Sequence, residues 1–248
     1  MQVNPGKDRG QNGLEFPAEV CRKMAHADSL HDQIDEAAVA DLQYVDVSRK
    51  WYGGMKRVLD VVCTLLGLAV LLGPLLLVAL AIFLDDPGPV LFRQYRVGRG
   101  GKRFRIYKFR SMKMSTPKYL AAMELEEPGQ YLTRVGRVLR RLSIDELPQL
   151  LNVLLGDMSL VGPRPLISDE YEIHALRMRL GVYNVRPGVT GLAQINGRDR
   201  VSPADKVRWD VRYLERFGFL TDVRILLATL PAVFGGDGVQ ADEAVTRK

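Results

Sequence analysis

The spacing of apolar positions divides the chain into stretches of different period. Residues 61–84 read VVCTLLGLAVLLGPLLLVALAIFL, a run without a charged side chain, fenced by Asp60 and Asp85. As a helix it would be ~36 Å long, enough for a hydrocarbon core of ~30 Å. The alternative, a buried core helix of a soluble domain, fits this length poorly, and a cleaved signal peptide fails on position. After it the period falls to two. Residues 86–110 give a turn, an apolar strand, a Gly-rich turn at 98–101 and the alternating RFRIYKF, which predicts a β-hairpin with Lys and Arg on one face. Helical spacing returns at 118–127, 130–142 and 147–155, the last stopped by Gly156, and again from about 203 to 234. The aromatic and basic mixture of 213–234 suits a membrane interface. Between these lies RPGVTGLAQINGR (186–198), a turn-rich loop. Residues 1–27 are rich in Gly, Pro and charge with little periodicity, and 28–46, with six acids and no Lys or Arg, could form a short solvated helix. The pattern is α+β and mostly helical.

Charge decides how the apolar segment sits. Basic residues flank it on both sides: Arg49, Lys50, Lys56 and Arg57 before it, and Arg93, Arg96, Arg99, Lys102, Arg103 and Arg105 after it. Lys and Arg favour the cytoplasmic side, so a straight span violates the rule at one end. A helix that enters, bends and returns to the same face satisfies both. Pro74, preceded by Gly73, stands near the middle, where proline removes a backbone hydrogen bond. The reading is a re-entrant helix in one leaflet. Over 248 residues the net charge is +6, which invites an anionic partner: phospholipid, nucleotide or nucleic acid. Nucleic acid ranks low, because the basic residues flank the membrane segment rather than gather on a recognition element. Cys21 and Cys63 share no metal-type spacing with His26, His31 or His174.

The densest chemistry lies in RRLSIDELPQLLNVLLGDMSLVGPRP, residues 140–165. Ser143 and Glu146 have the spacing of a capping box, and Pro148 is acceptable in a first helical turn. Asp145 and Glu146 are thereby placed at a helix N-terminus, where the dipole favours ionised carboxylates and bound phosphate. For a lone acidic pair, ordinary capping is the better explanation. The company argues for more: Arg140 and Arg141 upstream, Asp157, and Arg164 between two prolines that fix its backbone for a preset phosphate contact.

K-R-x-x-D (Lys56, Arg57, Asp60), the proline-bearing membrane helix, YKFRSM (107–112), SIDELPQLLNVLLGDMSLVGPRP (143–165) and RPGVTGLAQINGR, in that order, resemble the monotopic bacterial polyprenyl-phosphate phosphoglycosyltransferases, the bacterial sugar transferase family. The resemblance runs from about residue 55 to 232 and is to the small form of the family. It implies transfer of a sugar-1-phosphate from a UDP-sugar to polyprenyl phosphate with release of UMP, in a ping-pong reaction through a phosphosugar-aspartate. It further implies Asp145 as nucleophile and Mg²⁺ ligand, Glu146 as its catalytic partner, and Lys108, Arg140, Arg164 and Arg198 as phosphate-binding residues. Many relatives have Ser where this chain has Gly73. The implied organisation is a flexible extension (1–50), a re-entrant membrane helix (51–85), a cytoplasmic catalytic domain with interfacial helices (86–235) and a flexible tail (236–248), on the cytoplasmic face of the bacterial inner membrane. The rival reading is a membrane-anchored regulator that binds anionic lipid without chemistry, which leaves the acidic pair and GPRP idle. The sugar and the oligomeric state are not read from the sequence.

Overall fold

The computed structural model describes residues 39–47, 51–116, 128–197 and 202–234. The expected helix at 118–127, Arg198 and the tail from 236 lie outside the described residues, as do His26 and His31. Helix α1 (Tyr52–Asp85) is 34 residues long and is continuous through Gly73 and Pro74, so the expected break is not an interruption of helical structure. Its first half is packed inside out. Tyr52, Lys56, Asp60 and Thr64, one stripe at a spacing of four, are buried, whereas Val62, Leu65, Leu66 and Val70 are exposed. Its second half turns an apolar stripe inward: Leu75, Val78, Ala79 and Ile82 pack with Phe109, Leu139 and Ile144.

Both ends of α1 are tied to one body. Asp222 accepts a hydrogen bond from Tyr52 (2.8 Å) and pairs with Lys56. Asp60 accepts from the Leu160 amide (3.1 Å), and Arg57 donates to the Val153 and Leu154 carbonyls. At the other end the Val135 amide donates to Asp85 (2.9 Å), and Arg110 and the Met114 amide donate to Asp86.

The expected hairpin forms as β1 (Leu91–Val97) and β2 (Arg103–Phe109), antiparallel, with Phe92 opposite Lys108 and Arg96 opposite Phe104. Paired residues share a face, so Arg96 and Lys108 stand on the same side. Helix α2 (Arg134–Arg141) is capped by Thr133, whose hydroxyl accepts from the Gly136 amide. A β-carbon on Gly136 would lie 2.0 Å from the Ser111 carbonyl oxygen, so only glycine lets α2 lie this close. Helix α3 (Gln149–Leu155) ends on Gly156 at φ +89°; a left-handed C-terminal glycine is the usual stop. Arg57 satisfies two of its last carbonyls.

A second, two-stranded sheet was not foreseen. β3 (Ser159–Val161) pairs in parallel with β4 (Gly188–Thr190), inside the stretch expected to be loop. Strands of three residues carry too little alternation to be read. Their approach relies on Gly162 and Gly188, since a β-carbon on Gly188 would lie 2.0 Å from the Gly162 nitrogen. Helices α4 (Tyr171–Arg179), α5 (Leu192–Ile195), α6 (Pro203–Glu215) and α7 (Phe219–Phe234) are the remaining α-helices among the described residues. The main core joins Val161, Leu166, Ile173, Leu180, Val211, Leu214 and Ile225. α7 keeps Phe219, Leu220, Leu227 and Leu230 exposed. Residues 39–47 follow an irregular path rather than a helix, bury Val39 and Val47, and bond to the domain through Val45 N–H and the Leu180 carbonyl (3.2 Å).

Candidate active site

The acidic pair does not start an α-helix. Asp145 and Glu146 occupy a 3₁₀ turn (Ile144–Glu146), and Pro148 is the N-terminal flank of α3. The capping box is not formed: Ser143 makes no side-chain cap and is left-handed (φ 54°), the one positive-φ residue other than glycine among those described. A short polar side chain tolerates that conformation at a cost. The Glu146 carboxylate goes instead to residues far away in sequence. It accepts from Lys108 Nζ at 2.6 Å and from Arg164 Nη2 at 3.1 Å. Local capping lost to these charge-assisted bonds, which are roughly twice as strong as neutral ones.

Lys108 reaches this point because α3 is pinned to β2. The fully buried Asn152 side chain donates to the Arg105 carbonyl (2.7 Å) and accepts from the Tyr107 amide (3.0 Å), satisfying a strand edge and fixing its height. Arg164 arrives from the loop after β3. Arg140, one turn beyond Gly136 on α2, donates to Ser111 Oγ at 2.9 Å. Arg96 and Gln149 join Lys108, Glu146 and Arg164 around a small cleft.

The two carboxyls are driven apart electrostatically. Burial, then the charge on Glu146, pushes Asp145 up to about 6, against the pull of Lys108, Arg140 and Arg164. Glu146 is desolvated too, yet Arg164 and Lys108 outweigh that burial and hold it well below the usual carboxylate range. Neighbouring acids with opposed shifts mark a pair with different chemical roles. Burial, then Arg164, also lowers Arg96 to about 10. Glu146 is an anion held between two cations, while Asp145 is a desolvated carboxyl with three cations in electrostatic range.

The matching family model is that of the bacterial sugar transferases, and it covers residues 50–236. This chain belongs to the bacterial sugar transferase family. A UDP-glucose:undecaprenyl-phosphate glucose-1-phosphate transferase of Caulobacter vibrioides is 45% identical to it over 189 residues, 73% of this chain and 70% of that protein. The sugar transferase EpsL of Bacillus subtilis is 40% identical over 77% of this chain and 93% of its own length. An undecaprenyl-phosphate galactose phosphotransferase of Salmonella typhimurium is 37% identical over 74% of this chain, but only 41% of that protein is matched.

In this transferase the sequence-chosen residues Lys108, Arg164 and Glu146 are brought into direct contact, and Arg140 lies within electrostatic range of Asp145. Gly73 and Pro74 lie on α1, remote from the acidic pair in sequence. Arg96, Gln149 and Asn152 were missed. The parity of the hairpin could have found Arg96, since it shares a face with Lys108, but only the register shows it. His174 is buried and neutral, lowered to about 4 by burial, and bonds the Ile167 carbonyl and the Tyr183 hydroxyl.

Proposed function

We propose that this transferase moves a sugar-1-phosphate from a UDP-sugar to polyprenyl phosphate at the membrane surface. The observation that carries the reading is the buried Asp145 carboxyl within electrostatic range of Lys108, Arg140 and Arg164, the first and last of which bond Glu146. The names of the relatives in C. vibrioides and S. typhimurium support undecaprenyl phosphate as acceptor. In the first displacement an Asp145 oxygen bonds to the sugar-bearing phosphorus, the bond from that phosphorus to the bridging oxygen breaks, and UMP leaves with the electron pair. In the second, a phosphate oxygen of the lipid bonds to the same phosphorus and Asp145 departs as carboxylate. Covalent catalysis of this form divides one difficult transfer into two, and the cations stabilise the charge developing on phosphate oxygens.

No set of three ligating side chains occurs among the described residues. A single carboxylate fits Mg²⁺, which is commonly held by one or two carboxylates together with substrate phosphates. Asp145 would hold it, and it would supply further neutralisation of the diphosphate.

The same reading makes α1 re-entrant, bent at Pro74 with both ends on the cytoplasmic face. Bonds from Tyr52, Lys56 and Asp60 at one end, and from Asp85 and Asp86 at the other, reach the same domain, and a straight span would put them on opposite sides of the bilayer. The test of the chemistry omits the lipid. Protein with Mg²⁺ and a panel of UDP-sugars should release UMP in a burst of at most one per enzyme, with a sugar-phosphate mass gained on the Asp145 peptide; Asp145→Asn should abolish both. UMP release that requires polyprenyl phosphate, with no adduct, would establish direct transfer instead.

A further inference from the structure

The loop that carries Arg164 is held at every carbonyl along its length. The Pro163 carbonyl accepts from the Gly188 amide (2.9 Å), Arg164 from Arg177 Nη1 (2.8 Å), Pro165 from Arg96 (3.5 Å), Leu166 from the Val97 amide (3.0 Å) and Ile167 from His174 Nε2 (2.7 Å). Three of these five donors are side chains. Prolines at 163 and 165 already restrict φ, and this clamp removes the remaining freedom. Its central member is expensive. Arg177 on α4 and Asp210 on α6 form an ion pair at 2.6 Å whose side chains are each 2% exposed. A buried ion pair is a weak source of stability, because desolvation consumes most of the attraction. What the pair does accomplish is to deliver one guanidinium N–H to the carbonyl of the residue whose side chain bonds Glu146.

We propose that Arg177, anchored by Asp210, is a positioning residue that fixes Arg164 for phosphate binding in the transfer reaction. The assignment rests on the function proposed above. Arg164 then meets the donor phosphate from a backbone that cannot recoil. A misplacement on the order of 1 Å in such a contact can cost about 100-fold in rate.

The test is a double-mutant cycle on full-length protein in membranes, with UMP release followed for wild type, Arg164→Ala, Arg177→Gln and the double variant. Thermal melting is recorded for each. Arg177→Gln alone should lower kcat/KM by about 10- to 100-fold. On the Arg164→Ala background it should add less than about 3-fold, because the residue it positions is gone. Arg177→Lys, which keeps the charge beside Asp210, should recover part of the activity and serves in place of Gln if that variant does not fold. Effects that multiply in full would show a general structural role and overturn the proposal. Amide exchange over 162–167 is read in parallel and needs no chemistry: it should rise in the Arg177 variants relative to the rest of the chain. An unchanged loop would overturn the proposal even if the wild-type protein released no UMP, an outcome that would separately refute the proposed function.

Discussion

Asp145, the proposed nucleophile, works against the fold that carries it. Its carboxyl is raised from 3.8 to about 6, chiefly by burial and secondly by Glu146. For an acid whose folded pKa exceeds its unfolded one, the ionised form costs stability above the folded value, and the cost fades as pH falls toward the unfolded value. Asp145→Asn should therefore stabilise the metal-free protein at pH 7–8, by something on the order of 1–3 kcal/mol. The gain should shrink between about pH 6 and pH 4. Melting curves of the two proteins across that range check the sign; a constant difference, or a destabilised variant, would mean that the carboxylate is stabilised in place. Such a trade of stability for chemistry is common at active sites. The identities of Asp145, Glu146, Lys108 and Arg164 were legible as motif residues. Their mutual arrangement was not: the spacing of Ser143 and Glu146 suggested a local cap, and partners 38 and 18 residues away took Glu146 instead.

At the scale of elements, α1 is the decisive piece. Its buried stripe is polar near Lys56 and apolar near Ile82, and the surface between is apolar and exposed, as suits a helix whose middle lies in lipid. If the helix bends at Pro74, cysteines placed at the exposed Trp51 and Pro89, in a background with Cys21 and Cys63 replaced by Ser, should both resist an impermeant thiol reagent applied outside the cell. Pro74→Leu restores the missing backbone hydrogen bond and should expose one of the two sites. Labelling of either site in the unmodified helix would mean a straight span. The hairpin, α3 and the two terminal helices were legible because their apolar periods persist for several residues. The β3–β4 pair was not, because it depends on glycine backbones approaching from segments about thirty residues apart.

For the whole molecule, the junction of α1 with α7 joins the long apolar helix to the rest of the fold. Asp222 accepts from Tyr52 and Tyr213 and pairs with Lys56, whose side chain is 9% exposed. Removing one partner of a buried pair leaves the other charge uncompensated and typically costs 3–5 kcal/mol. Asp222→Ala should accordingly lower the melting temperature sharply, whereas Lys56→Met combined with Asp222→Leu should recover much of the loss. If the single variant melts like the parent, Asp60, 3.8 Å from Lys56, compensates the lysine by itself and the junction is not held here. Residues 39–47, which precede the family match, add a further contact by covering the Leu180 end of α4.

The sequence alone determined the membrane segment, the hairpin, the family and the residues that carry charge to the site. Each of these is written in local period or in an ordered set of motifs. Only the tertiary structure decided that Glu146 is spent on Lys108 and Arg164, that Asp145 is buried with its carboxyl raised to about 6, that both ends of α1 rest on one domain, and that Arg177 and Asp210 stand behind Arg164. Burial and long-range pairing set a group's protonation and reach, and neither is a property of the residues next to it in the chain.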